Sequence, residues 1–152
     1  MKKRSERMQT VERVMTDVER KRAEALATRE RHVTECETKL SELESYQKTY
    51  AEQFQTRAGA GIGGAGLRDF QTFMVRLGEA VKLQAQLVVK AKADRDAERT
   101  VWQTAAQRAE AVGGLVERWQ KEEQRQTDKH EQNESDERAQ RPSLQSLQIR
   151  GS

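Results

Sequence analysis

Ala58-Gly59-Ala60-Gly61-Ile62-Gly63-Gly64-Ala65-Gly66 is the stretch on which the fold of this chain depends. On either side of it runs a long segment with a seven-residue apolar repeat. Helices so long and so thinly apolar fold only by zipping against a partner, and a flexible glycine joint offers the other half of the same chain. The reading is an all-α protein, a long two-helix antiparallel coiled-coil hairpin. Its parts are a helix over about residues 4–57, a turn over 58–66 and a second helix over about 67–138, with 142–152 read as a disordered tail beyond Pro142.

The first helix carries one heptad series through Met8, Met15, Arg22, Arg29, Cys36, Leu43 and Tyr50. A second series runs through Leu26, Val33, Leu40, Gln47 and Phe54. Before Leu26 the second series loses its apolar residues, and Val11, Val18 and Ala25 are expected to carry the stripe one position earlier. The second helix is more regular. Its series are Phe70, Leu77, Gln84, Ala91, Glu98, Ala105, Val112, Trp119 and Met74, Val81, Val88, Arg95, Trp102, Ala109, Val116. Gly113-Gly114 lies inside it and costs about 1 kcal/mol per glycine relative to alanine.

With the turn centred on Ile62, facing residue numbers sum to roughly 124. That register brings the charged interruptions Arg22 and Arg29 to the level of Arg95 and Glu98, and pairs Arg29 with Glu98 or Asp94. Polar residues at one height in both halves are what an antiparallel hairpin predicts, and a parallel dimer does not. Past residue 120 the apolar series stops, and Gln120–Arg141 overhangs the start of the first helix, polar on every side.

Composition narrows the function. Of 152 residues 35% are charged and 34% hydrophobic, too polar for the thick core that a small-molecule pocket requires. The net charge is +3, but the two signs alternate along both helices, which gives a solvated face rather than a nucleic-acid stripe. Neither a signal peptide nor a membrane-length apolar run is present, and the expected location is cytoplasmic. The glycine segment matches a dinucleotide-binding spacing twice, but a helix precedes it where a strand is required. His32 and His130 are read as solvated, and Cys36 as a small apolar seam residue lacking the basic neighbour and open cleft that a nucleophile needs. No catalytic residue, metal site, cofactor or small-molecule ligand is expected.

Surfaces remain. Tyr46, Phe73, Ala80, Leu87 and Val101 lie one position outside the seam. They either flank the hairpin core or form a partner-binding patch near the turn.

The run Leu40-x-x-Leu43-x-x-Tyr46-x-x-x-Tyr50, the Gly/Ala loop, and Leu67-x-x-Phe70-x-x-Phe73-x-x-x-Leu77 are followed by Glu98-Arg99-x-x-Trp102, Val116-Glu117-Arg118 and the charged stretch Asp128–Arg141. In order and spacing this resembles the FliJ family, small cytoplasmic proteins of the bacterial flagellar type III export apparatus. The resemblance implies a stalk-like coiled coil, a monomer when alone, that inserts the end carrying both termini into the hexameric export ATPase FliI. It also implies contact with the export gate protein FlhA at the cytoplasmic face of the inner membrane, and with substrate-specific export chaperones. Carried over by position, the gate-binding residues are Leu43, Tyr46, Tyr50, Phe73, Leu77 and Ala80. The ATPase-binding candidates are Arg4, Arg7, Arg13 and Arg118, with the overhang beyond. The rival readings are the equivalent stalk of a virulence secretion system and a homodimeric coiled-coil scaffold.

Overall fold

The computed structural model describes residues 2–150 as two helices, α1 over Arg4–Ala60 and α2 over Gly64–Arg150. Only Gly61-Ile62-Gly63 separates them, a tighter joint than the nine residues of the glycine-rich stretch suggest. The helices absorb the remaining glycines and alanines because pairing, rather than propensity, fixes their ends. Gly61 has φ +94, a conformation closed to most side chains, and its N–H donates to Ala58 O at 3.2 Å. At Gly66 a Cβ would stand 2.9 Å from Cγ2 of Ile62, so the isoleucine closes the turn by lying over a bare backbone. At the other end α2 continues helically past Pro142 to Arg150, where the sequence reading stops it at the proline. Gly151 and Ser152 lie outside the described residues.

Two compact units are distinguished, Glu19–Ala105 and the segments up to Val18 and from Ala106 onward. In the first, the turn is followed by a stack of aromatic rings. Phe54 lies on Phe70 with centroids 3.6 Å apart and planes 9° from parallel, and Tyr50 meets Phe73 at 4.3 Å. Further along, Val33, Cys36, Val88 and Ala91 form the buried cluster, with Leu40 packed against it. All of these contacts obey the expected register, and both seam series of α2 face inward as read.

One detail goes beyond the sequence reading and two depart from it. Gln84 is buried at a seam position, and its Nε2 donates across the pair to Cys36 O at 3.0 Å. The amide is thereby satisfied on the opposite backbone, so a polar residue holds the register from inside the core. In the N-terminal part of α1, Val11 and Val18 are exposed, while Glu12 and Glu19 lie nearer the seam. The heptad keeps its phase, and Glu19 is accommodated because Trp102 Nε1 donates to its Oε1 at 2.9 Å. Finally, the charged layer pairs differently. Arg99 meets Glu30 at 3.7 Å, each one position along from Glu98 and Arg29, and Lys92 meets Glu37 at 3.7 Å. Arg29 turns outward, and Glu98 Oε2 is left buried without a hydrogen-bond partner.

In the second unit Val116 is buried, with Met8, Met15, Val112 and Trp119 partly so. Gly113 and Gly114 are both helical; a Cβ on Gly113 would stand an ordinary 3.5 Å from Glu12 Oε1, and one on Gly114 would meet nothing.

Candidate partner-binding surfaces

Near the turn, the aromatic residues form a continuous surface. Tyr46 is 53% exposed, and its ring lies 6.1 Å from Tyr50 and 6.2 Å edge-on from Phe73. Two helices cannot enclose three rings at one level, so the outermost remains in water. Leu43, Tyr50, Phe73 and Ala80 are partly buried beside it. Leu77, in contrast, is only 7% exposed and lies in the seam. Thus five of the six positions named for the gate reach the surface to some degree. Closer to the turn, Tyr50, Phe54, Ile62 and Phe70 line a shallow cleft whose rim carries Arg57 and Asp69. Ile62 was not legible as a site residue; its neighbour Gly66, the one glycine against which a side chain packs so closely, was the available signal.

At the end carrying the N-terminus, α1 begins without a capping side chain of its own. Lys3 O accepts the first helical bond, from Arg7 N–H at 3.2 Å. The amide of Ser5 is therefore one of the orphan donors of a helix start, and Glu123 of α2 takes it at 3.2 Å through Oε1. The Ser5 hydroxyl donates to Glu123 Oε2, and Ser5 is buried by the contact. The bond from that hydroxyl, with the Ser5 amide and the charges of Lys3 and Arg4, holds the Glu123 carboxyl below its ordinary value near 4.5. Because the folded pKa is depressed, this clasp contributes fully above the unfolded value and is lost as pH falls through the folded one. Amide exchange at Ser5 and its neighbours is expected to quicken in Glu123→Ala at neutral pH. In the unaltered protein the protection of these amides, taken relative to the unstructured chain at the same pH, is expected to fall only on acidification below the ordinary carboxylate range; equal protection in both proteins at pH 7 would refute the clasp.

Arg4 lies with its guanidinium carbon 3.9 Å from the centroid of the Trp119 ring, a cation–π contact. Among the described residues, Arg7, Arg13 and Arg118 are exposed and their side chains make no ion pair or hydrogen bond. Beyond Glu123 every side chain from Gln124 to Arg141 is exposed. This part of α2 is stabilised along its own surface, by Gln124 to Asp128 at 2.9 Å and His130 to Glu134 at 3.1 Å.

Elsewhere chemistry is sparse. His32 Nε2 lies 3.6 Å from Cys36 Sγ, so the thiol has a basic neighbour that the sequence reading did not find. Cys36 nonetheless faces the seam, within the buried cluster. Among the described residues there is no cluster of metal-ligating side chains and no helix long and apolar enough to cross a membrane.

No curated protein and no solved structure matches the chain. Residues 3–148 do match the family described as Flagellar FliJ protein. With an antiparallel helical pair on either side of a three-residue turn and a match over nearly its whole length, the chain belongs to the FliJ family, components of the flagellar protein export apparatus.

Proposed function

We propose that this protein is a non-enzymatic stalk of the export apparatus, which promotes assembly and turnover of the hexameric export ATPase FliI and links it to the gate protein FlhA. The observation that carries the reading is the unit holding the N-terminus. There, among the described residues, the side chains of Arg7, Arg13 and Arg118 are exposed and have no ion-pair or hydrogen-bond partner, beside a helical overhang that has nothing apolar to bury. Such a surface is suited to a ring lumen lined with carboxylates, which exposed guanidinium groups can meet without this chain giving up ion pairs of its own. Arg4 differs from the other three because it is already engaged by Trp119. In this reading it braces the end rather than binding the ring.

The gate contact belongs to the opposite class of surface. Tyr46 with Phe73 and Ala80 presents a rigid aromatic patch with satisfied backbone behind it, the kind of anchor that dominates protein interfaces. Export chaperones, released from substrate, are further partners on this reading. The protein works in the cytoplasm, held at the membrane only through FlhA.

The test is ATP hydrolysis by the export ATPase with this protein titrated in. Stimulation is expected. Arg7→Glu with Arg13→Glu is expected to weaken ring binding by at least about tenfold, with a steep salt dependence. Unchanged affinity in the reversed variant would sink the assignment of the ring-binding end, and absence of stimulation would sink the stalk role.

A further inference from the structure

One flank of α2 carries an order of residues that the hairpin does not use. Reading along it, Arg76, Glu79, Leu83, Leu87, Lys90 and Asp94 follow one another as basic, acidic, leucine, leucine, basic, acidic. At 3.6 residues per turn, Arg76, Leu83, Leu87 and Asp94 fall within about 40° of each other, roughly a quarter turn from the seam, and Glu79 and Lys90 share one edge of the stripe. Leu83 is 60% and Leu87 44% exposed. Among the described residues none of the four charged side chains makes an ion pair or hydrogen bond, although Lys92 and Arg99, on the other flank, are both paired to α1.

The stripe is complementary to its own reversal. Turned end over end about a point between Leu83 and Leu87, it sets Arg76 against Asp94, Glu79 against Lys90 and Leu83 against Leu87. In a two-fold contact each of those pairs occurs twice, and on one edge of the stripe Glu79 and Lys90 fall on the same side of the joint. A parallel alignment would instead set each charge against itself. We propose that a second copy of this chain covers the stripe, α2 against α2 in antiparallel orientation, with four leucines at the centre and ion pairs on either side. This departs from the monomer expected of the sequence, and it stands independently of the export role. The association is modest, since the apolar centre is small and the charged pairs remain near solvent.

Sedimentation equilibrium of the full chain tests it. The mass is expected to rise with concentration from 17.5 kDa towards twice that value. Arg76→Asp and Asp94→Arg each place two like-charge pairs in the contact, and each is expected to weaken association at least about tenfold. The double variant Arg76→Asp/Asp94→Arg restores opposite charges and is expected to return to within about threefold of the unaltered protein. Circular dichroism should be the same for all four, because both positions are unpaired within the hairpin. A mass that stays at the monomer throughout overturns the proposal, as does a double variant no better than the singles, or singles that associate as well as the parent.

Discussion

Phe70→Ala is expected to destabilise the chain by about 3 kcal/mol, read as a lowered urea midpoint with little change in slope. The size follows from position. Phe70 stacks on Phe54 at 3.6 Å and lies parallel to Tyr50, 5.7 Å away and 7° from coplanar orientation. Removing it strips one wall from the cleft under Ile62 and leaves Phe54 without the ring it covers. The ring is only partly buried, which places the cost at the low end of the usual range for phenylalanine to alanine. Tyr46→Ala serves as the contrast. That ring is half in water and makes only the 6.1 and 6.2 Å contacts, so its loss is expected to cost under about 1 kcal/mol. Equal effects of the two substitutions would show that the stack at the turn is not what holds this end together. The same contrast makes Tyr46 the variant with which to test gate binding, because a loss of binding there could not be blamed on unfolding.

Glu98→Leu is expected to stabilise the chain, by about 1 to 2 kcal/mol. Glu98 stands in the seam series between Ala91 and Ala105, both buried, and its Oε2 has no partner. The carboxylate thus loses water on one side without gaining a donor in exchange. Two opposing terms are weaker. The nearest ion pair across the helices is Arg99 with Glu30, whose side chains are 45% and 52% exposed, so it adds little and does not depend on Glu98. Register is held independently by the Gln84 amide on Cys36 O. Urea titration of the leucine variant, with Glu98→Gln as the intermediate case, settles the matter. A destabilised leucine variant would mean that Glu98 has a donor in solution which the geometry does not reveal.

The glycine stretch and the α2 heptads made the fold legible, because a repeat sustained over so many turns leaves a helix only one face to bury. Register was legible too, since a turn of known centre fixes every level of an antiparallel pair. What escaped were the places where a polar side chain finds its partner on the other helix. Gln84, Glu19 and Glu123 look like interruptions or solvated charges along the chain; only the pairing reveals Cys36 O, Trp102 Nε1 and Ser5 as their partners. Gln84 was nonetheless on the seam series, and a buried polar residue at such a position was the signal to follow. The exchange of Val11 and Val18 for Glu12 and Glu19 was missed for the reason that favours hydrophobicity over phase. Two valines outweigh two glutamates in any count of apolar residues, whereas the helix keeps the period that its neighbouring turns impose. Among the surface residues, the exposure of Tyr46 followed from the sequence, and the burial of Leu77 follows equally from its place in the series that contains Gln84.

The three-residue joint has a consequence for how the chain reaches this state. Pairings across the hairpin are nested, so the separation in sequence grows steadily away from Ile62. It is 48 residues for Gln84 with Cys36, 83 for Trp102 with Glu19 and 118 for Ser5 with Glu123. Each contact, once made, shortens the loop that the next must close, and the entropic cost of closing Ser5 onto Glu123 directly from the unfolded chain is never met. This nesting favours a zipper that starts from the aromatic rings beside the turn, with the Ser5–Glu123 clasp the last tooth to engage and the first to release.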